Sequence, residues 1–259
     1  MSFDDPDLSG CAALVQRADP DRFLATMAAP LSARVVLFPI YACNVEIARA
    51  PWVTKEPMIA EMRLQWWRDA LEEIAAGGKA RRHEVVSPLS RALDKAGAEL
   101  LDKLVQARRW DIYSDPFEDA AHFEDYLQST SSNLMLAAAR ALGPADEDVV
   151  RDFGYAAGLA NYLCAIPALE QAKRVPLLDG RPEAVSGLAQ NALIRLKRAR
   201  ANRARLSAPA RSALLSGWTA GAILKQAASE PDRVLAGALG KSPFARKFGL
   251  MVRATSGRW

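Results

Sequence analysis

Asp111 and Asp115 are the first pair of side chains in this sequence whose types and spacing suit chemistry. On a helix, an i, i+4 spacing puts both carboxylates on one face. There they could hold a Mg²⁺ ion in front of a diphosphate, because Mg²⁺ takes one or two carboxylates plus substrate oxygens. The competing reading is the stronger on local grounds. Asp115 precedes Pro116, a position biased away from helical backbone, so it belongs to a turn past the helix end. Other chemistries lack their residues. His83 and His122 lie in different segments, and Cys11, Cys43 and Cys164 are far apart, so no zinc spacing is present. The cysteines read as small buried apolar residues in a reducing compartment. No nucleophile elbow, P-loop or dinucleotide glycine fingerprint occurs.

A second stretch stands out for what it lacks. Gly154, Ala157, Gly158 and Ala160 form a smooth helical stripe with Asn161 as its one uncharged polar group. Small residues on one face allow another helix, or a long ligand, to come close. No acidic residue lies between Asp152 and Glu170.

The elements that position these residues are helical throughout. Strand signals are almost absent, and proline and glycine divide long helical patterns. Helices are predicted over residues 7–29 with a break at Pro20, 31–50 with a kink at Pro39, 58–76 stopped by Gly77 and Gly78, 87–113, 120–142, and 146–167 ending at Pro167. After a loop at 175–182 come 183–206, 209–228, 231–239 and a closing segment at 241–255. The centre of the second helix, from Val35 to Cys43, is apolar all round and so belongs in the core. The expected architecture is an all-α single domain over residues 1–259, of eight to ten helices, with any pocket lying between facing helices.

Charge is distributed unevenly. Residues 1–170 hold 17 Lys/Arg against 26 Asp/Glu, whereas residues 171–259 hold 17 against 4. The basic C-terminal third suggests an acidic partner, an anionic membrane surface or nucleic acid. The basic run at 195–206 has no interleaved aromatic residues and no helix-turn-helix frame, which argues against nucleic acid and for an exposed basic face. The tail at 244–259, with Arg246, Lys247 and Trp259, is basic and amphipathic. It suits an interfacial segment, and equally a last helix packed on the domain. The opening residues 1–8 are acidic, unlike a targeting peptide, and no apolar run is expected to approach the roughly 18 residues that span a bilayer. The expected location is cytoplasmic, peripheral on the inner face of the inner membrane.

Several runs carry a family resemblance. Leu37-Phe-Pro-Ile-Tyr41 after Arg34, Leu64-Gln-Trp-Trp-Arg-Asp-Ala-Leu71, Phe123-Glu-Asp-Tyr126 and Phe153-Gly-Tyr-Ala-Ala-Gly-Leu-Ala-Asn161 stand in order. From about residue 23 to residue 175 the chain resembles the squalene/phytoene synthases. The resemblance implies an isoprenoid-synthase-type helical bundle around a central apolar cavity, lined here by Tyr41, Asn44, Tyr126, Gly158, Asn161, Cys164 and Ala165. Active members join two allylic diphosphates head to head, with Mg²⁺ held by acidic clusters on facing helices.

Those clusters are missing from the matching positions. In the first motif the arginine falls on Val45 and the aspartates on Ala48, Arg49 and near Trp52, leaving only Glu46 acidic. In the second, Asn161 is kept, the arginine falls on Cys164, and the aspartates fall on Ala165 and Leu169. Glu170 is one step off, about 100° around the helix. The resemblance therefore implies a non-catalytic member with no cofactor and no metal. Two alternatives stay open: a Mg²⁺-dependent prenyltransferase with an altered site built from Glu46, Glu170 or the Asp111/Asp115 pair, and an isoprenoid- or lipid-binding protein.

One branch of the family shares the loss and acts in assembly of respiratory complex I, the NADH:ubiquinone oxidoreductase. The chain resembles it at Cys43-Asn-Val-Glu-Ile-Ala48, Met62-Arg-Leu-Gln-Trp-Trp67, Thr130-Ser-Ser-Asn-Leu134 and the basic exit Lys173-Arg-Val-Pro-Leu177. It departs at Cys164, where the branch has arginine. The implied partners are a complex I subunit or assembly intermediate, an isoprenoid or lipid ligand, and an anionic membrane. Lys173 and Arg174 join Arg246, Lys247 and Trp259 as contact residues, and nucleic acid is not expected.

Overall fold

Helix starts are written into this chain as polar–proline pairs, because proline at the first helical position gives up a hydrogen bond that position never makes. The computed structural model describes residues 5–259; the acidic opening, on which the reading of the N-terminus rests in part, extends outside the described residues. Asp5 caps α1 (Pro6–Ala18) and Asp19 caps α2 (Pro20–Ala28), each accepting a main-chain N–H from the first turn. Next come α3 (Leu31–Arg49) and a 3₁₀ turn at Ala50–Trp52. Helix α4 (Pro57–Ala75) stops where Gly77 takes a φ of +67°, which glycine adopts without Cβ strain.

The helix predicted at 87–113 is three pieces: α5 (Val86–Ala92), α6 (Lys95–Arg108) and α7 (Trp110–Tyr113). Leu93 is extended, and Asp94 starts α6 by capping Gly97. The 120–142 pattern is continuous but underwound at its centre: α8 (Ala120–Leu127), a π-helical turn at Gln128–Ser132, then α9 (Asn133–Leu142).

Helix α10 (Glu147–Gln171), capped by Asp146, runs through Pro167, where a stop is predicted from sequence. Proline's fixed φ is itself helical, so α10 loses a hydrogen bond there without having to end. Then follow α11 (Pro182–Ala201), α12 (Arg211–Leu214), α13 (Ala220–Ser229), α14 (Asp232–Leu235) and α15 (Pro243–Ser256). Among the described residues the only β pairing is an isolated bridge between Ala145 and Leu206.

Helix α3 is packed by α1, α2, α5 and α9. With the turn after it, Leu31–Trp52 is 22 residues with an 18-residue window of mean hydropathy 1.4, long and apolar enough to cross a membrane. This corrects the expectation that no run approaches that length. Here Leu37, Phe38, Ile40, Cys43 and Ile47 are buried by the chain's own helices, so α3 has a protein environment for its apolar surface.

The glycine stripe of α10 also finds its reason. A Cβ on Gly158 would lie 2.5 Å from the Ser131 Cβ, and one on Gly154 would lie 2.7 Å from the Ser132 Cα. Ser131 Oγ donates to the Gly154 carbonyl at 2.9 Å. The stripe lets the π turn seat on α10, so Gly158 faces protein and not a cavity. Gly158→Leu is expected to destabilise by at least about 1–3 kcal/mol through overpacking. Gly187→Ala, in mid-α11 with nothing within 4 Å of its added carbon, is expected to stabilise by about 0.5–1 kcal/mol. Thermal unfolding of the two variants checks the opposite signs.

Candidate ligand cavity between facing helices

The C-terminal half of α10 and the end of α3 face one another across a cavity of about 380 Å³. Helix α10 contributes Tyr162, Ala165, Ala168 and Leu169, and α3 with its following turn contributes Ala48 and Trp52. Arg108 from α6, Asp111 from α7, Tyr126 from α8, and the turn residues Ser114, Asp115 and Phe117 close one side. Arg174, Val175 and Pro176 close the other.

A three-membered polar network forms one wall. Arg108 donates to the Asp111 carboxylate at 2.9 Å and to the Tyr126 hydroxyl at 2.8 Å, and that hydroxyl donates to Asp111 at 2.8 Å. Burial works against the charge on Arg108, but Tyr126 and Asp111 outweigh it and hold the guanidinium's pKa above its ordinary value. Burial pushes the phenols of Tyr126 and Tyr162 up, with Asp111 adding to both. Both tyrosines are therefore hydrogen-bond donors at neutral pH and not bases.

Arg174 is aimed by an unusual turn. Lys173 has a φ of 61°, and the N–H groups of Lys173 and Arg174 donate to the Glu170 and Leu169 carbonyls at 2.8 and 3.0 Å. This helix end folds the chain back, so the Arg174 guanidinium stacks 4.4 Å from the Trp52 ring centroid and donates to the Asp111 main-chain carbonyl. Opposite it, Phe117 packs on Trp110, Phe123 and Tyr126 at centroid distances of 5.7, 5.0 and 5.4 Å.

Positions that the family fills with aspartates do converge: Ala48, Trp52, Ala165 and Leu169 all line this cavity. Tyr126 lines it too. Asp111 and Asp115 both reach it, although α7 ends before Asp115 and Ser114 turns the chain at a φ of 62°. They share a wall without sharing a helix face. Glu46 does not join them: it pairs with Arg49 at 3.1 Å. Glu170 is exposed beside a separate groove with Pro182 and Leu235.

Asn161 and Cys164 line a second cavity, of about 320 Å³, under α15 with Asp21, Trp218 and Arg246. Tyr41 is packed into the core at 1% exposure, with its hydroxyl donating to the Ala213 carbonyl at 3.3 Å. Asn44 is also buried, and its Oδ1 finds no partner among the described residues.

Three surface expectations are corrected. Arg174 is a cavity wall. Arg246 pairs inward with Asp21 and lies over Trp218. Trp259 is 4% exposed, against the Phe153 ring, because its indole fills the core and cannot reach a membrane. Lys173 and Lys247 are exposed.

Arg108, Trp110, Phe117 and Tyr162 were not singled out from the sequence. The available signal was the aromatic density between Trp110 and Tyr126, and Arg108 at ion-pair spacing before Asp111. The cysteine reading also changes: Cys11 and Cys43 are buried, but Cys164 is exposed. Burial pushes the Cys11 thiol up to about 12 and raises that of Cys164, which Arg246 partly opposes. A disulfide-exchange reagent is expected to titrate Cys164 alone in the native protein, slowly at neutral pH because little thiolate is present, and all three cysteines after denaturation.

The donor set does not suit Mg²⁺, which needs oxygen ligands in near-octahedral array. Ala48, Ala165 and Leu169 offer no side-chain oxygen, Asp111 is committed to Arg108 and Tyr126, and two guanidinium groups add positive charge. Among the described residues, no three His, Cys, Asp or Glu side chains gather where they could hold a metal ion. What the cavity offers is an aromatic and aliphatic trough with one cationic, hydrogen-bonding wall.

A helical bundle with a trough between two facing helices is the isoprenoid-synthase class of fold. A dehydrosqualene synthase solved with a ligand superposes with a TM-score of 0.78 at 16% identity, over 97% of this chain and 96% of that one. The squalene synthase HpnC from Alicyclobacillus acidocaldarius gives 0.68 at 16% identity, over 87% and 94%. The family model for squalene/phytoene synthases matches residues 15–178, and the chain belongs to that family. Relatives in sequence include the NADH dehydrogenase (ubiquinone) complex I, assembly factor 6 homolog of Drosophila melanogaster, 29% identical over 72% of this chain and 58% of the relative. The assembly factor 6 of Homo sapiens is 25% identical over 61% of this chain and 48% of its own length. The chain thus spans about half the length of the curated relatives it matches.

Proposed function

We propose that this protein is a non-catalytic squalene/phytoene synthase-type factor in the assembly of respiratory complex I, acting as a peripheral protein on the inner face of the membrane. The observation that carries this reading is the cavity itself. Ala48, Ala165 and Leu169 stand where the family's metal ligands would face each other, in a chain whose sequence relatives are named for complex I assembly. Its client would be a complex I subunit or assembly intermediate. Deleting the gene in its host is expected to lower the level and activity of complex I, with restoration by the intact gene. Normal complex I in the deletion strain would sink the reading. A second assay separates it from prenyl transfer: incubation with farnesyl diphosphate and Mg²⁺ is expected to release no diphosphate.

A second reading, compatible with the first, is favoured by the walls of the trough. Five aromatic rings, those of Trp52, Trp110, Phe117, Tyr126 and Tyr162, surround a space of about 380 Å³, which suits an apolar, isoprenoid-like or lipid chain with a weakly polar end. Native mass spectrometry of gently purified protein is expected to show a retained ligand, and a consistently empty cavity would count against it.

A further inference from the structure

Helix α15 is amphipathic with its apolar side turned to solvent. Arg246 and Arg253 are half-buried and Leu250 is buried on the inner side. Phe244, Phe248, Met251 and Val252 are 81%, 54%, 55% and 47% exposed. At i, i+4, i+7 and i+8 these four make one continuous stripe, and the two phenylalanine rings lie 6.4 Å apart. Among the described residues, none covers them.

Beside the stripe lies a cationic basin. Arg200, Arg203, Arg253 and Arg258 line a hollow of about 450 Å³ together with Val252 and Trp259. Arg200 donates to the Trp259 main-chain carbonyl at 2.8 Å and Arg253 to the Gly249 carbonyl at 3.1 Å. Among the described residues, no Asp or Glu side chain pairs with any of the four. This sets them apart from their neighbours: Arg195 pairs with Glu124, Arg198 with Asp152 and Arg205 with Asp146. Burial holds the pKa of Arg200 below its ordinary value, and the like charge of Arg253 adds to the effect. Even a charged carboxylate on Trp259 leaves the basin positive. From residue 233 to residue 259 the chain has six Lys/Arg and no Asp/Glu.

We propose that α15 and the arginine basin form a docking surface for an anionic phospholipid bilayer, with Phe244, Phe248, Met251 and Val252 entering the headgroup–acyl boundary and Arg200, Arg203, Arg253 and Arg258 receiving lipid phosphates. Charge complementarity selects this occupant. A second copy of the chain would bring cation against cation, whereas an outward apolar stripe flanked by the exposed Lys241, Lys247 and Arg258 is the pattern of a helix lying in a lipid interface. The proposal rests on the peripheral-membrane part of the function proposed above, and not on the identity of the client.

The test is co-sedimentation of the full chain with vesicles of phosphatidylcholine alone or mixed with phosphatidylglycerol. The protein is expected to sediment with the mixed vesicles, to stay in solution with the neutral ones, and to be released by salt. The double variants Phe244→Ser/Phe248→Ser and Arg203→Glu/Arg258→Glu are each expected to weaken binding about tenfold or more. Because these side chains are exposed, both variants are expected to keep the wild-type melting temperature. No association with the anionic vesicles, equal association with neutral ones, or unchanged binding by both double variants would overturn the proposal. So would a dimer in light scattering that forms through the stripe without vesicle binding. Since the assay uses purified protein, a negative result removes this surface and leaves the assembly role to the deletion experiment.

Discussion

Asp111→Ala is expected to cost about 3–5 kcal/mol of folding stability and to lower the melting temperature by on the order of 10 °C. The side chains of Arg108 and Asp111 are only 22% and 10% exposed, so solvent does little to screen them. Removing the carboxylate leaves the guanidinium against aromatic rings with one hydroxyl for company, and it leaves the Tyr126 O–H without its acceptor. Breaking such a pair is costly because an uncompensated charge remains, whereas the intact pair contributes little net stability. A double replacement, Arg108→Met with Asp111→Leu, is therefore expected to recover most of the loss. Urea unfolding of the two single variants and the double variant gives the coupling directly. Asp111→Ala within about 0.5 kcal/mol of wild type would mean that the network does not hold this wall together.

The network matters for the family comparison because of where Asp111 stands. It is the buried carboxylate of a cavity in which the other expected acidic positions are Ala48, Ala165 and Leu169. A buried carboxylate in that setting would have to be neutralised. Arg108 supplies the neutralisation, with a hydrogen bond from Tyr126. The cavity is thereby closed electrostatically as well as emptied of ligands. Restoring one aspartate at Ala165 would add an acid to a site already crossed by two guanidinium groups, and a three-metal arrangement would still be missing its other oxygens.

Much of this was legible in the sequence. Proline and glycine placement located both ends of α3 and α4 and the start of α11 to within a residue or two, because those residues act through their own backbone geometry, whereas α11 ends five residues before the predicted 206. The facing of Ala48 with Ala165 and Leu169 followed from the motif resemblance, since motif positions travel with the helices that carry them. The rest depended on tertiary contacts that local pattern does not encode. Nothing in the spacing of Gly154 and Gly158 distinguishes a ligand groove from a seat for Ser131 and Ser132; only the underwound π turn does. Lys173 in the left-handed region is an unfavourable choice at a helix end, so the turn that aims Arg174 was invisible beforehand. Composition correctly marked the tail as basic and amphipathic, but the direction in which an amphipathic helix faces is set by what it packs on. In α15 the arginines turn inward and the phenylalanines outward, while Trp259 is drawn into the core.

Phe153→Ala is expected to cost about 3–5 kcal/mol, the range for deleting a large core ring. The Phe153 side chain is fully buried, the Trp259 ring meets it edge-on at 4.6 Å, and a Cβ placed on Gly217 would come within 2.5 Å of its Cε1. The close approach at Gly217 fixes one side of the ring and Trp259 the other, so the surroundings have little room to collapse into the space. The consequence extends beyond stability. Trp259 floors the arginine basin, and its carbonyl receives the Arg200 N–H; once the indole loses its support, the end of α15 loses an anchor. Phe153→Ala is therefore expected to weaken both folding and vesicle binding, whereas Phe244→Ser/Phe248→Ser weakens vesicle binding alone. Chemical denaturation and vesicle co-sedimentation on the same preparations distinguish the two. A Phe153→Ala protein within about 1 kcal/mol of wild type would show that the ring is not the support of the C-terminal segment. One that loses stability but binds vesicles as well as wild type would show that the basin does not depend on Trp259.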